Sequence, residues 1–362
     1  MGKEKDRFEQ LLGLLPEGWE AKAKELGALQ RAREIKTPAE LLRLILLYLT
    51  EGKSFAGTSA IALLSCEAKL SKVAVFKRMR KSSAWLKWLC ENIYRRAALT
   101  VTKPTWLKNK NVIAVDGSEE VKCGLRRQCY MLHYSLELFT LDVRELLVTE
   151  RKTGEKLTNF KQVGKGDIVM GDRIYGNIPG IAYVRQREAD YVLRINGRGF
   201  HLINGKNQRI DLKKRLLGLE EGKIADIWAR CKINSRYEPI RICALRKDSQ
   251  SEQAGLKRIR KTNQRKHGGK AVTEEQRENN KYIMVATSMG KEVSAAQVLE
   301  LYRIRWQIEI AFKRLKSLFH YNDLPAKDSE SARAWFYGKL LLAALCETIV
   351  NTGRFSPSEA VA

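Results

Sequence analysis

Two short apolar runs restrict this chain more than any other feature: Asn111-Val-Ile-Ala-Val-Asp-Gly-Ser and Asp167-Ile-Val-Met-Gly-Asp-Arg-Ile-Tyr-Gly. Each has the length of a strand and closes on an aspartate followed by turn-forming residues. Strand-like segments at 129–140 and 142–149 lie between them, close enough to pair as a hairpin, and Thr153 is positioned to cap a short helix. Two strands of one sheet that each end in an acid predict an α/β fold. In such sheets, sites gather at strand ends and in the loops beyond, so Asp116 and Asp172 are the first candidate site residues.

The period differs on either side of this core. From residue 8 to about 99, apolar residues recur at three- and four-residue intervals, predicting an all-helical N-terminal domain ahead of Pro104. Within it, 52–64 and 70–81 read as helix, turn, helix. Ser71 is a plausible N-cap of the second helix, Val73 and Phe76 are expected to pack, and Lys72, Lys77, Arg78, Arg80 and Lys81 could face phosphates. Two basic surface helices of a bundle would carry the same pattern.

Between 183 and 288 the period is mostly two, with strands expected near 190–196, 200–204, 209–212, 225–232, 240–246 and 282–287. This β-rich insertion is interrupted at 256–270, where seven of fifteen residues are Lys or Arg. Such a run reads as a solvated arm or as an element that contacts phosphates. Ser294-Ala-Ala-Gln has the form of a capping box and opens a helical region. A last helix is expected over 330–350.

The charge balance narrows the partner. With 67 Lys and Arg against 41 Asp and Glu, the formal charge is +26, which sets up a field attractive to polyanions. Nucleic acid is the expected partner. No apolar run reaches membrane-spanning length, and the N-terminal residues lack a signal-peptide core, so no membrane association and a cytoplasmic location are expected. Seven cysteines show no CxxC or Cys/His cluster, which suggests neither a disulfide framework nor a zinc site.

The third candidate acid lies in Leu-Tyr-Arg-Ile-Arg-Trp-Gln-Ile-Glu-Ile-Ala-Phe-Lys-Arg-Leu-Lys-Ser-Leu-Phe, residues 301–319. Placed on one helix at about 100° per residue, Tyr302, Arg305, Glu309 and Lys316 share a sector of roughly 60°, opposite a broad apolar stripe. Three carboxylates drawn from distant positions suit metal-dependent phosphodiester chemistry, since Mg²⁺ takes oxygen ligands and two such ions can serve both the attacking and the leaving oxygen. The four histidines stand without a Ser or Cys elbow, and no phosphate-binding Gly loop follows a strand.

Tyr302-x2-Arg305-x3-Glu309-x6-Lys316 resembles the Tyr-Arg-Glu-Lys signature of bacterial insertion-sequence DDE transposases, the group that includes the Tn-five transposase. Asp116-Gly-Ser and Asp172-Arg-Ile-Tyr-Gly are similar to that family's first and second acidic motifs, and the similarity runs from about residue 40 to 320. The resemblance implies an α/β architecture with an RNase H-like catalytic core, a β-rich insertion and a helical N-terminal domain that binds DNA. The corresponding boundaries are 1–103 for the DNA-binding domain, 104–182 for the first part of the core, 183–290 for the insertion, 291–325 for the second part of the core with the signature helix, and 326–362 for the C-terminal helix and tail.

The same resemblance implies that Asp116, Asp172 and Glu309 are catalytic residues ligating two Mg²⁺ ions, for which Mn²⁺ can substitute. Tyr302, Arg305 and Lys316 would contact the DNA backbone near the cleaved end, with Arg173 and Trp306 as adjacent candidates. Tyr282 stands where the family often carries a Trp that stacks on a flipped base during hairpin excision; packing on the insertion is the alternative role. The implied activity is cut-and-paste transposition on terminal inverted repeats and target DNA, by a homodimer on paired double-stranded ends, cytoplasmic and nucleoid-associated when bound. A DNA-binding protein derived from a transposase without catalysis, and an RNase H-like nuclease, are the alternatives.

Overall fold

The computed structural model describes residues 8–50, 54–65, 68–94, 103–107, 109–123, 128–140, 142–197, 199–266, 268–309 and 328–352. The fold is α/β. Nine strands form one mixed sheet in the order β3-β2-β1-β4-β5-β9-β8-β7-β6. The strands are β1 (Asn111–Cys123), β2 (Gln128–Glu137), β3 (Val143–Glu150), β4 (Asp167–Gly171), β5 (Asp190–Ile195), β6 (Leu202–Ile203), β7 (Ile224–Ile233), β8 (Arg236–Arg246) and β9 (Tyr282–Thr287).

The chain divides into two compact units. One comprises Met1–Val101, Gly117–Gly154 and Glu309–Ala362, and the other Thr102–Asp116 and Glu155–Ile308.

In the first unit, α1 (Trp19–Glu25), α2 (Pro38–Thr50), α3 (Phe55–Ser65), α4 (Lys72–Lys81) and α5 (Ser83–Tyr94) pack with the long C-terminal α11 (Ser329–Thr352) and the β2–β3 hairpin. Apolar spacing drives this assembly: α2 buries Leu41, Leu42, Leu44, Ile45, Tyr48 and Leu49. A Cβ on Gly338 would approach Leu49 Cδ1 to 2.6 Å, so the glycine permits α11 its close contact with α2. Farther along, the Trp85 indole donates to the Trp19 carbonyl at 3.0 Å.

Ser71 caps α4 as its position suggests, accepting from the Ala74 amide at 3.2 Å. The apolar face of α4 differs from expectation. Val75 and Met79 are buried, Phe76 meets Phe55 edge-on at 5.4 Å, and Val73 lies half exposed. The i, i+4 pair sets the buried stripe, which turns Val73 outward.

The second unit has its own core, built on β1, β4, β5, β9, β8 and β7 and including Val169, Tyr191, Leu193, Ile242 and Ala286. Here β1 pairs parallel with β4, and β4 with β5, through the crossover helix α6 (Ile178–Gln186). β5, β9, β8 and β7 then continue antiparallel. α7 (Leu212–Leu216), α8 (Ser249–Lys266), α9 (Glu274–Asn280) and α10 (Ala295–Arg303) complete the unit.

Four local expectations change. In place of the strand expected at 209–212 stands a single bridge, Ile203↔Arg209, because the Asp211 side chain caps α7 at Leu212. β1 does not stop at Asp116 but runs on to Cys123, because an extended backbone accepts Gly117 and Ser118 as readily as a turn does. Thr153 caps no helix: Gly154, at φ 66°, breaks the chain direction directly after the 3₁₀ turn Arg151–Thr153, and a second 3₁₀ turn follows at Leu157–Asn159. The basic run at 256–270 is mostly helical in α8. Gly255, Ile259 and Asn263 recur there at four-residue spacing against α9, and Asn263 is buried.

Candidate active site

The two strand aspartates meet through sheet register. β1 pairs with β4 in step, ending at Ala114↔Met170. Asp116 lies on β1 two residues past this last pair, and Asp172 is the first residue after β4, so both stand near the same end of these two parallel strands. Both carboxylates raise the pKa of the Tyr175 phenol, after burial and Glu155 and in that order, which places them in one electrostatic neighbourhood. Tyr175 is fully buried, and its hydroxyl has no hydrogen-bond partner among the described residues.

The residues after Asp172 explain themselves as turn chemistry. Asp172 Oδ1 accepts from the Ile174 amide at 2.8 Å, and its carbonyl accepts from the Gly176 amide at 3.0 Å. Tyr175 anchors the turn in the core. A Cβ on Gly176 would lie 1.8 Å from the Arg194 carbonyl oxygen, so the chain can cross β5 only with glycine at this point. Asn177 then caps α6, accepting from the Gly180 amide at 2.9 Å. The turn thus fixes the backbone that carries Asp172.

Tyr302 on α10 and Arg305 in the turn just after it share the electrostatic surroundings of Asp172 and Arg173. Ser294 and Gln297 form the expected capping box at its start, with both reciprocal hydrogen bonds present. The single helix expected across the signature is interrupted. α10 ends at Arg303, residues 304–305 form a turn, and helical geometry resumes over 306–309. Across this break Ile304, Arg305, Gln307 and Ile308 donate to the carbonyls three residues earlier, at 3.1 to 3.2 Å. Three residues per turn eclipse positions i and i+3, which brings Arg305 over Tyr302. Arg305 Nε donates to the Tyr302 hydroxyl at 3.1 Å. Burial raises the Tyr302 pKa, Arg305 and Arg194 lower it, and Asp172 raises it again, so the phenol shares the field of the second aspartate.

The other candidates scatter. Arg173 is exposed, and desolvation with the neighbouring Arg194 charge lowers its pKa against the opposing effects of Tyr302 and Asp172. Trp306 is 53% exposed. Tyr282 sits half-buried in the insertion, its hydroxyl donating to the Leu216 carbonyl at 3.0 Å and its ring facing the Arg246 guanidinium at 5.6 Å. Lys72 and Lys77 are exposed on α4 of the other unit, whereas Arg78 is half-buried and donates to the Arg31 carbonyl at 3.0 Å. Glu309 opens the last segment of the first unit, and Lys316 lies outside the described residues. Arg194 escapes sequence reasoning, although a lone cation within the apolar strand 190–195 is the signal that could have found it.

Among the described residues, no group of three His, Cys, Asp or Glu side chains is placed to hold a metal ion. Asp116 and Asp172 supply oxygen donors of the kind a hard divalent cation takes from a protein.

Comparison with known proteins decides the family. Residues 110–345 match the family described as Transposase DDE domain. The chain belongs to the DDE transposase family. The transposase is 34% identical over 344 residues to the putative transposase InsL for insertion sequence element IS186A of Escherichia coli (strain K12), covering 93% of this chain and 91% of that protein. It is 33% identical over 345 residues to the transposase for insertion sequence element IS421 of Escherichia coli, with the same coverage. A shorter match, 40% over 75 residues, links it to the transposase for insertion sequence element IS1151 of Clostridium perfringens, covering 21% of this chain and 15% of that protein. Family membership makes the chain a metal-dependent, DNA-acting enzyme of bacterial insertion-sequence type. Among the described residues, no helix is long and apolar enough to cross a membrane.

Proposed function

We propose that this transposase binds the terminal inverted repeats of its own insertion element and moves the element by a cut-and-paste route. Asp116, Asp172 and Glu309 would hold two Mg²⁺ ions, with Mn²⁺ able to substitute. Bound there, the ions would supply an activated attacking oxygen and charge neutralisation at the leaving oxygen. The protein's own part is positional. The turn at Asp172–Gly176 holds one carboxylate rigidly, β1 holds the other near the same end of the paired strands, and Tyr302, Arg305 and Lys316 grip the backbone of the cleaved strand. Water would attack the phosphodiester at the element's end and release a 3′-hydroxyl, which would then attack a phosphodiester of target DNA and displace the target's own 3′-oxygen as a hydroxyl.

The observation that most supports this reading is that Asp116 on β1 and Asp172 directly after β4 stand near the same end of two paired parallel strands inside the matched region. In the same reading residues 1–103 recognise the repeats, with Lys72, Lys77 and Arg78 as candidate phosphate contacts. The core occupies 104–182 and 291–325, the insertion 183–290, and the C-terminal helix and tail 326–362. Arg173 and Trp306 would lie beside the cleaved strand, and Tyr282 is the candidate for stacking on a flipped base. The protein would act as a homodimer on paired double-stranded ends, in the cytoplasm and on the nucleoid.

The test is metal-dependent nicking of duplexes that carry the element's own ends. Asp116→Ala, Asp172→Ala and Glu309→Ala should each abolish cleavage while the protein still binds the repeats. Undiminished cutting by any one of them removes that residue from the catalytic set.

A further inference from the structure

The second unit carries a cleft of about 560 Å³ between α8, α9 and the ends of β4, β5 and β8. Four cations converge on it from separate parts of the sequence: Arg173 after β4, Arg194 on β5, Lys247 after β8 and Arg258 on α8. Among the described residues, no carboxylate lines it. Arg173, Arg194 and Arg258 make no ion pair among the described residues, and the charges of Asp172 beside Arg173 and Glu252 near Lys247 offset the cluster only in part. Gathering like charges is costly unless an anion joins them.

The cleft is also built, not merely left over. Asn280, 4% exposed, accepts from Lys247 Nζ at 3.0 Å and donates to the Glu252 carbonyl at 2.8 Å, which aims the ammonium. α8 reaches Asn280 only because residue 255 is glycine; a Cβ there would stand 2.1 Å from Asn280 Oδ1. Burial, with the charges of Arg194, Arg173 and Arg258, pulls the Lys247 ammonium down to about 8, against the opposing effect of Glu252. Arg173 adjoins Asp172 in the chain, so the cleft opens beside one candidate catalytic carboxylate.

We propose that this cleft seats a phosphate group of the DNA strand that passes the Asp116–Asp172 end of the sheet, held by Arg173, Arg194, Lys247 and Arg258. Placement beside the aspartates rests on the function proposed above; the phosphate chemistry does not. A backbone phosphodiester and a terminal phosphomonoester are the two sources of such a group.

The test is binding of fluorescently labelled single-stranded DNA to the full chain in EDTA, so that cleavage plays no part. Each strand is supplied with a 5′-phosphate or a 5′-hydroxyl and titrated over a range of NaCl. Lys247→Met combined with Arg258→Gln should weaken binding about tenfold and flatten the salt dependence by about 1.4 in log–log slope, or about 0.7 per lost contact. A control pair, Lys206→Met with Lys223→Met, removes the same charge from exposed positions outside the cleft and should change both quantities less. Equal loss with both strand ends identifies a backbone phosphate, and loss confined to the 5′-phosphorylated strand identifies a terminal one. Affinity and slope matching the control pair would overturn the proposal. A nicking assay on element ends, run in parallel, reports on the catalytic reading separately.

Discussion

Arg305 Nε donates to the Tyr302 hydroxyl at 3.1 Å, and the same guanidinium lies 5.6 Å from the centre of the Tyr302 ring. Tyr302 is 8% exposed and therefore braces Arg305 from below. Tyr302→Phe keeps the buried ring and removes the acceptor. Folding stability should fall by only about 1 kcal/mol, the net worth of one such hydrogen bond. Cleavage of element ends should fall far more steeply than stability, as read by comparing nicking rates with urea unfolding. A parallel decline of the two would make Tyr302 a packing residue alone.

The turn that carries Asp172 depends on the absence of a side chain at Gly176. Gly176→Ala places a methyl group 1.8 Å from the Arg194 carbonyl oxygen, a contact relieved only by moving β5 or the turn. The expected loss is about 2 kcal/mol or more in denaturant unfolding, in the range for overpacked sites. Gly164→Ala meets nothing within 4 Å and should stay within about 0.5 kcal/mol of the parent.

Arg241 is 2% exposed and makes a bidentate pair with Asp226, both hydrogen bonds at 2.8 Å. Its Nη1 donates to the Gly290 and Val293 carbonyls at 2.6 Å, which pins the loop leading into α10. Arg241→Met should therefore cost about 2–3 kcal/mol, chiefly because it leaves the loop carbonyls without a donor, while Asp226, 36% exposed, turns to water. Hydrogen exchange should rise first in 288–294, ahead of the β5–β9 pairing.

His133 is fully buried on β2, its Nε2 2.9 Å from Thr149 Oγ1. Burial lowers its pKa to about 4. The folded value lies below the unfolded one near 6.5, so the fold favours neutral imidazole. That stability is complete above about pH 6.5 and is lost as pH falls towards 4. The difference is on the order of 3 kcal/mol, and His133→Gln should flatten the unfolding midpoint across that pH window.

Much of this architecture is legible from local residues. The apolar run at 190–196 is β5, the run at 282–287 is β9, and the capping residues Ser71 and Ser294 mark the starts of α4 and α10. Asp172 stands at the end of its strand because the five buried residues of β4 can extend no farther than the turn chemistry of Asp172–Gly176 permits. The misreadings have local causes too. Thr153 offers a capping hydroxyl, but the positive φ of Gly154 denies it a helix. The apolar spacing of 301–309 is the same whether residues 304–305 wind at 3.6 or 3.0 residues per turn, so the tightened turn leaves no trace in the pattern. Arg194, Lys247 and Arg258 meet only through the pairing of β5, β9 and β8, information that no local window contains.

The position of β9 also bears on the order in which the protein becomes itself. β9 lies between β5 and β8, with Thr287 opposite both Val192 and Arg241, yet it is the last of the nine strands to be synthesised. Until the ribosome has delivered it, β5 and β8 each present an unpaired edge, and the sheet of the second unit is split in two. Its closure is a long-range event that comes late in translation. A nascent chain halted anywhere before residue 282 therefore holds Asp116 and Asp172 in an unfinished sheet, whose strand between β5 and β8 is still to come.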